Sequence, residues 1–275
     1  MRTLKKHLIL FDAECPICNA YTKVLVNKNL LNEEGRSSYQ ELKPEACPML
    51  DRQRAANEIA LVNKETGEVT YGIESLLKIY SVRIPILKQL LLFRPFVHLM
   101  SKAYAFIAFN RRVIIPAPTL NNAFQIQPTF RLDYRIAYLV ITWGITAFIL
   151  SHYANLLDGL LPQGKPYREY LICGGQIFFK GSIINFLNRE KKWDYLGNMM
   201  TISFGGALLL LPGLILSALV NINPIVYCAW FIVVAGLMLL EHIRRSKILA
   251  VGGIPTLTWV LYRLIVLLFI LYFNV

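Results

Sequence analysis

Two cysteines near the N-terminus have the spacing of a redox pair. Cys15 and Cys18 follow an apolar stretch at residues 8–11. A strand that ends in such a turn and continues into a helix places the first sulfur at the helix N-terminus. There the unpaired N–H groups and the positive end of the helix dipole favour the thiolate, and Pro16 suits the first helical position. The spacing predicts Cys15 as a solvent-accessible nucleophile with a lowered pKa, and Cys18 as the thiol that resolves the mixed disulfide.

Asp12 lies three residues before Cys15, at the end of the predicted strand. A carboxylate at this position can accept the Cys18 proton during resolution, although its charge opposes ionisation of Cys15. We therefore include Asp12 with the two cysteines as a catalytic candidate. The alternative is that Asp12 only forms the turn after the strand, which is a common use of aspartate.

The same cysteines are also candidates for half of a structural zinc site. A tetrahedral site needs two further ligands, and the nearby candidates are His7, Cys47 and His98. None of these has a paired spacing. We therefore expect no metal and no bound cofactor, the cysteine pair being itself the redox-active group.

The segments around the pair indicate an α/β domain. Apolar periodicity and turn residues predict, after the first strand, a helix over 16–31, a strand near 38–42, a hairpin of 58–63 and 68–71, and helical structure over 74–110. Gly35 is expected to stop the first helix, and Arg94-Pro95 to break the later one. This order of strand, helix, strand, hairpin and helix is similar to that of thioredoxin.

The pattern Asp12-x-x-Cys15-x-x-Cys18 after an apolar strand resembles that of the DCC family of predicted thiol-disulfide oxidoreductases, a thioredoxin-like group. The resemblance also extends over the hairpin, residues 71–77 and residues 108–112. In all it covers about residues 7–117. It implies a thioredoxin-like fold, Cys15 and Cys18 as the redox pair, and a protein or small-molecule thiol or disulfide as substrate.

The chain departs from these patterns at two places. Ala13 stands where many family members have glycine. Thioredoxins place a proline just before the third strand, opposite the redox pair, to receive the substrate, whereas Ala55-Ala56-Asn57 precedes the predicted strand here. The sequence therefore does not predict substrate docking at such a proline.

The composition changes near residue 133, and the rest of the chain is dominated by apolar segments. Five of them are close to the ~20 residues that a helix needs to cross a bilayer, at about 134–153, 169–187, 197–220, 224–241 and 255–274. The sequence thus predicts an α/β thioredoxin-like N-terminal domain (1–117), a linker (118–133) and an all-α transmembrane domain of about five helices (134–275).

The net charge of +12 comes from basic clusters beside these apolar segments. The clusters are Arg111, Arg112, Arg131 and Arg135 before the first segment, Arg189, Lys191 and Lys192 after the second, and Arg244, Arg245 and Lys247 after the fourth. By the positive-inside rule, this alternation places the N-terminal domain in the cytoplasm and the C-terminus outside. We expect an integral protein of a bacterial inner membrane, in contact with the lipid bilayer. We find no signal peptide and no nucleic-acid-binding motif.

Two alternative functions stay open. Cys173 and Cys228 each lie near the outer end of a predicted span, where a second redox pair would make the chain a transmembrane electron conduit. Lone cysteines in apolar helices more often act as small packing residues. The other alternative is a membrane transporter or scaffold whose thioredoxin-like domain is not catalytic.

Overall fold

The N-terminal part of the chain is built on a four-stranded mixed sheet. The strands are β1 (His7–Phe11), β2 (Arg36–Ser38), β3 (Ala60–Asn63) and β4 (Val69–Tyr71), in the spatial order β2-β1-β3-β4. β1 runs parallel to β2 and antiparallel to β3, and β3 runs antiparallel to β4. The carboxyl ends of β1 and β2 and the amino end of β3 therefore lie at one edge of the sheet, which we call the site edge.

This structure is a computed structural model, and it describes residues 3–4, 6–42, 45, 47–84, 86, 89, 93–117 and 126–273. The chain divides into two compact units, Met1–Tyr134 and Arg135–Val275. The domain boundaries expected from the sequence, with a separate linker at 118–133, stay a prediction. Residues 118–125 of that linker lie outside the described residues.

Within the described residues, four helices accompany the sheet, α1 (Pro16–Asn27), α2 (Arg52–Asn57), α3 (Gly72–Arg83) and α4 (Arg94–Ile114). The prediction that Gly35 stops α1 is wrong, because the helix ends at Asn27. Asn29 takes the left-handed backbone conformation just beyond the end, with φ of 54°. Asparagine tolerates this conformation better than most residues and so replaces the expected glycine. α4 begins at Arg94, as the expected break implies.

The two faces of the sheet carry separate apolar clusters, because successive side chains of a strand point to opposite faces. One face includes Ile9, Phe11, Leu61 and both cysteines of the Cys-x-x-Cys motif. The other includes Leu10, Tyr39, Cys47, Ala56 and Ala60. The cysteine motif therefore belongs to the face of β1 that carries Ile9.

The second part of the chain is helical. Its helices are α5 (Leu132–Ala154), α6 (Arg168–Leu187), α7 (Lys192–Ser217), α8 (Pro224–Ile248) and α9 (Ile254–Phe273). Within the described residues, these five helices are long and apolar enough to cross a membrane, α5 together with the short turn that follows it. The predicted fold class, a mixed α/β domain followed by about five apolar helices, is confirmed.

Large apolar side chains cover the outer surface of these helices. Phe178 is 80% exposed and Phe186 is 90% exposed. Soluble proteins rarely expose continuous apolar surface of this kind, whereas lipid tails would cover it. The exposed apolar surface thus agrees with a bilayer around this part of the chain.

Candidate functional site

Cys15 caps the N-terminus of α1. Its sulfur accepts a hydrogen bond from the Cys18 backbone N–H at 3.3 Å, and Pro16 lies in the first turn of the helix. The Cys15 N–H donates to the Asp12 carbonyl at 3.1 Å, which closes the turn between β1 and α1. The sulfur therefore lies among the unpaired N–H groups of the helix start, where the spacing predicts it.

The two thiols differ strongly in acidity. The Cys18 thiol donates a hydrogen bond to the Cys15 sulfur, which is the main reason that the pKa of Cys15 falls from an ordinary 9.0 to about 7. Burial opposes this shift, whereas the positive charge of Arg111 adds to it. The same hydrogen bond, together with burial, raises the pKa of Cys18 well above its ordinary value. Near neutral pH, Cys15 is thus the sulfur that ionises.

Both cysteines are almost completely buried. Only 2% of Cys15 and 3% of Cys18 is exposed, and they pack in the apolar cluster that includes Phe11 and Ile59. The solvent access expected for Cys15 is therefore not seen, and that expectation is corrected. A substrate can reach the Cys15 sulfur only if a neighbouring part of the protein moves.

Asp12 is buried at the site edge and bonded to several donors. Its Oδ1 accepts from Gln40 Nε2 at 2.9 Å and from the Glu14 N–H at 3.1 Å. Its Oδ2 accepts from Arg111 Nη2 at 2.7 Å. The carboxylate thus stabilises the turn before α1 and also binds the buried guanidinium of Arg111. Its position directly after β1 allows both contacts.

Arg111 is the residue of this site that the sequence reasoning placed wrongly. Its sequence position predicts a basic residue that flanks the membrane segments, but its side chain is only 4% exposed and lies inside the N-terminal domain. Its guanidinium joins Asp12 to the backbone carbonyls of Ala56, at 2.6 Å, and Asn57, at 3.0 Å. One signal was available, because Arg111 belongs to the segment 108–112 that carries part of the family resemblance.

Arg112 lies beside this pair and is more exposed. Its Nη2 donates to Glu14 Oε2 at 3.0 Å and to Gln127 Oε1 at 2.8 Å, and it lies 3.8 Å from Asp12 Oδ2. The two arginines at the end of α4 therefore balance the two carboxylates that precede Cys15.

The candidate zinc ligands do not gather around the cysteine pair. Cys47 packs on the opposite face of the sheet, His7 begins β1 at the edge away from the site, and His98 lies in α4. Among the described residues, no group of three or more His, Cys, Asp or Glu side chains is placed to hold a metal ion. This arrangement gives no support to the zinc alternative.

Cys173 and Cys228 lie in different surroundings of the helical part. Cys228 packs against the cluster that includes Tyr153 and Tyr227, whereas Cys173 is buried in α6 outside that cluster. Both are free thiols. The described helices therefore offer no common packing site that would favour a second redox pair.

Comparison with known proteins addresses the N-terminal domain. Residues 9–115 match the family model described as DCC1-like thiol-disulfide oxidoreductase. The match confirms the resemblance predicted from Asp12, Cys15 and Cys18, and it supports a thiol-disulfide oxidoreductase. It does not extend to the five apolar helices. Neither the curated proteins nor the solved structures contain a match to this chain.

Proposed function

We propose that this protein is a membrane-tethered thiol-disulfide oxidoreductase in which Cys15 is the nucleophile and Cys18 the resolving thiol. The observation that carries the proposal is the Cys15 sulfur at the start of α1, hydrogen-bonded by the Cys18 N–H and held at a lowered pKa. This geometry lies within the segment that matches the oxidoreductase family. The pair itself is the redox group, so the proposed reaction needs no bound cofactor.

In the reducing direction, the Cys15 thiolate attacks one sulfur of a substrate disulfide. A disulfide forms between Cys15 and the substrate, and the other substrate sulfur leaves as a thiolate. Cys18 then loses its proton and attacks the Cys15 sulfur, which forms the Cys15–Cys18 disulfide and releases the second substrate thiolate. Two electrons pass to the substrate, and an external dithiol must then reduce the pair again.

We assign to Asp12 the acceptance of the Cys18 proton. An ionised carboxylate has about four acceptor sites. Arg111, Gln40 and the Glu14 N–H occupy three of those on Asp12, which leaves one for the Cys18 proton. Because the pKa of Cys18 is raised, its thiol stays protonated until the mixed disulfide has formed.

We assign to Arg111 the role of a positioning residue. The charge of Asp12 raises the pKa of Cys15, whereas the charge of Arg111 lowers it. A buried carboxylate beside a thiolate would repel it, and the ion pair at 2.7 Å offsets that repulsion. Arg111 thereby holds Asp12 in place while leaving Cys15 free to ionise.

We further propose that the redox domain faces the cytoplasm of a bacterium and that the C-terminus lies outside the inner membrane. The support is the position of the basic clusters, which follow α6 and α8 and precede α5. An odd number of spans then places the two termini on opposite sides. Labelling of single cysteines introduced at Lys191 and Asn221 by a membrane-impermeant maleimide would test this orientation, because only the Asn221 position should react from outside intact cells.

The test of the proposed activity is a trapping experiment with Cys18→Ala. Without the resolving thiol, the disulfide between Cys15 and the substrate should accumulate, and mass spectrometry should identify the bound molecule. The matched control combines Cys18→Ala with Cys15→Ser and should trap nothing. If Cys18→Ala folds but forms no mixed disulfide, the proposed activity is wrong.

A further inference from the structure

Lys180 lies inside the helical unit (Arg135–Val275), about two turns before the end of α6 at Leu187. The helical rise puts it about 10 Å from that end, and its side chain is 0% exposed. Its Nζ donates to the Pro255 carbonyl and, at 2.6 Å, to Thr258 Oγ1, both on α9. The buried amine is therefore held by two neutral acceptors.

α6 and α9 run side by side in opposite directions, and two contacts fix their register. Near the start of α6, the Ile172 carbonyl accepts a hydrogen bond from Tyr262 Oη at 2.7 Å. Later in α6, Lys180 contacts an earlier part of α9, at Thr258. Gln176 is one turn before Lys180 and shares its face of α6. Gln176 therefore lies level with the turn of α9 between these two contacts.

Three buried N–H groups of α6 and α9 have no hydrogen-bond partner among the described residues. They are Gln176 Nε2, Trp259 Nε1 and Arg263 Nε. Gln176 and Trp259 are only 6% and 3% exposed. The Arg263 guanidinium lies over the Trp259 ring, 4.0 Å from its centre, so these two donors are neighbours. Because buried donors are nearly always hydrogen-bonded, three unpaired ones together indicate a site for an acceptor.

The charges around these donors are positive. Lys180 and Arg263 both act electrostatically on His242 of α8, which places the two cations around the same side chain. Tyr195 of α7 lies between His242 and Lys180. Its Oη bonds to His242 Nε2 at 3.0 Å, and Lys180 Nζ is 5.5 Å from the centre of its ring. Residues of four helices therefore surround one buried polar region.

The carboxylates of the neighbouring helices do not balance these cations. In α6, α7 and α8, the described carboxylates each bond to another arginine: Glu169 to Arg168, Asp194 to Arg135, and Glu241 to Arg244 and Arg245. Lys180 and Arg263 have no carboxylate partner in the part of the chain that the structure describes. Because an uncompensated buried charge is strongly unfavourable, an anion would stabilise this region.

We propose that Gln176, Lys180, Trp259 and Arg263 bind an oxyanion, a carboxylate or a phosphate group, between α6 and α9. Lys180 and Arg263 supply the positive charge, and Gln176 and Trp259 supply directed hydrogen bonds. Water would bring O–H donors of its own to a site that already has an excess of donors, whereas an ionised carboxylate only accepts. The site lies in the helical unit and does not depend on the chemistry at Cys15.

The test is equilibrium binding of radiolabelled oleate and of radiolabelled phosphate to the full chain in a non-ionic detergent. Gln176→Leu and Trp259→Phe each remove one unpaired donor and retain most of the side-chain volume. Each should weaken binding roughly tenfold or more, as expected for the loss of a hydrogen bond to a charged group. Trp230→Phe is the matched control, because Trp230 Nε1 already donates to the Leu209 carbonyl at 3.0 Å. It should bind the probe as the wild type does.

The two probes also distinguish the sources of the anion. Saturable binding of oleate alone would assign a fatty-acid carboxylate from the bilayer, and binding of phosphate alone would assign an anion from water. Methyl oleate has the same chain without the charge, so an excess of it should not displace the bound probe. Saturable binding of neither probe, displacement by methyl oleate, or unchanged affinity in both Gln176→Leu and Trp259→Phe would refute the oxyanion site.

Discussion

Replacing Cys18 by alanine is expected to raise the pKa of Cys15. The thiol of Cys18 donates the hydrogen bond that contributes most to the lowered pKa of Cys15. Cys18→Ala removes that donor but retains the Cys18 backbone N–H, which lies 3.3 Å from the Cys15 sulfur. The variant therefore separates the side-chain contribution from that of the helix start.

The size of the effect follows from the strength of the bond that is lost. The fall in the pKa of Cys15 from 9.0 to about 7 corresponds to about 2.7 kcal/mol in favour of the thiolate. A hydrogen bond to a charged group contributes about 1.5–3 kcal/mol, which equals about 1–2 pKa units. Cys18→Ala should thus move the pKa of Cys15 to about 8–9, and the thiolate fraction at pH 7 should fall from about one half to between about 1% and 10%.

The assay is the pH dependence of Cys15 alkylation in the full chain, measured by peptide mass mapping between pH 5 and 10. The midpoint is more informative than the rate at one pH, because a thiolate of higher pKa is intrinsically more nucleophilic and partly offsets its lower abundance. Cys18→Ser is the matched control, since its hydroxyl is still a donor, and its midpoint should stay closer to that of the wild type. A Cys18→Ala midpoint equal to that of the wild type would refute the assigned role of the Cys18 thiol.

Three further predictions concern stability and the helical unit. Arg111→Met should destabilise the N-terminal unit by about 3–5 kcal/mol, because it leaves the buried Asp12 carboxylate without its cation. Hydrogen exchange at the β1 amides measures this loss, and unchanged protection of these amides would contradict the buried ion pair of Asp12 and Arg111. Gly72→Ala should lower the free energy of unfolding of the N-terminal unit by about 1–2 kcal/mol, because Gly72 has φ of +59° and a left-handed backbone is unfavourable for other residues. Hydrogen exchange at the β4 amides measures this loss, and a stabilising effect would contradict the left-handed backbone at Gly72. Cys173→Ala and Cys228→Ala should each leave disulfide exchange by Cys15 unchanged; loss of exchange in both would instead support the electron conduit.

Local patterns predicted the parts of the fold that depend on neighbouring residues. The apolar run before Cys15 and the proline after it were enough to predict the strand, the turn and the capped helix. The five apolar helices followed from length and composition, because a bilayer requires about 20 apolar residues per span. The end of α1 was missed because Asn29 adopts the left-handed conformation that was expected of glycine.

The surroundings of the cysteine pair could not be predicted in the same way. Arg111 is 99 residues from Asp12 in the chain, and a single sequence gives no sign that the two side chains pair. The burial of Cys15 was also missed, because Ile59 and Tyr104 of the cluster around it are remote from it in the chain. Both features depend on tertiary packing, which hydrophobic periodicity and motif spacing do not report.

The central claim is that Cys15 and Cys18 exchange two electrons as a dithiol and a disulfide. A redox titration of the purified full chain in dithiothreitol buffers, with alkylation and peptide mapping at each potential, measures this directly. We predict a single two-electron transition that forms a disulfide between Cys15 and Cys18 and is absent from Cys15→Ser. If both thiols remain free to alkylate after denaturation at every potential, or if the disulfide joins other cysteines, the account is contradicted.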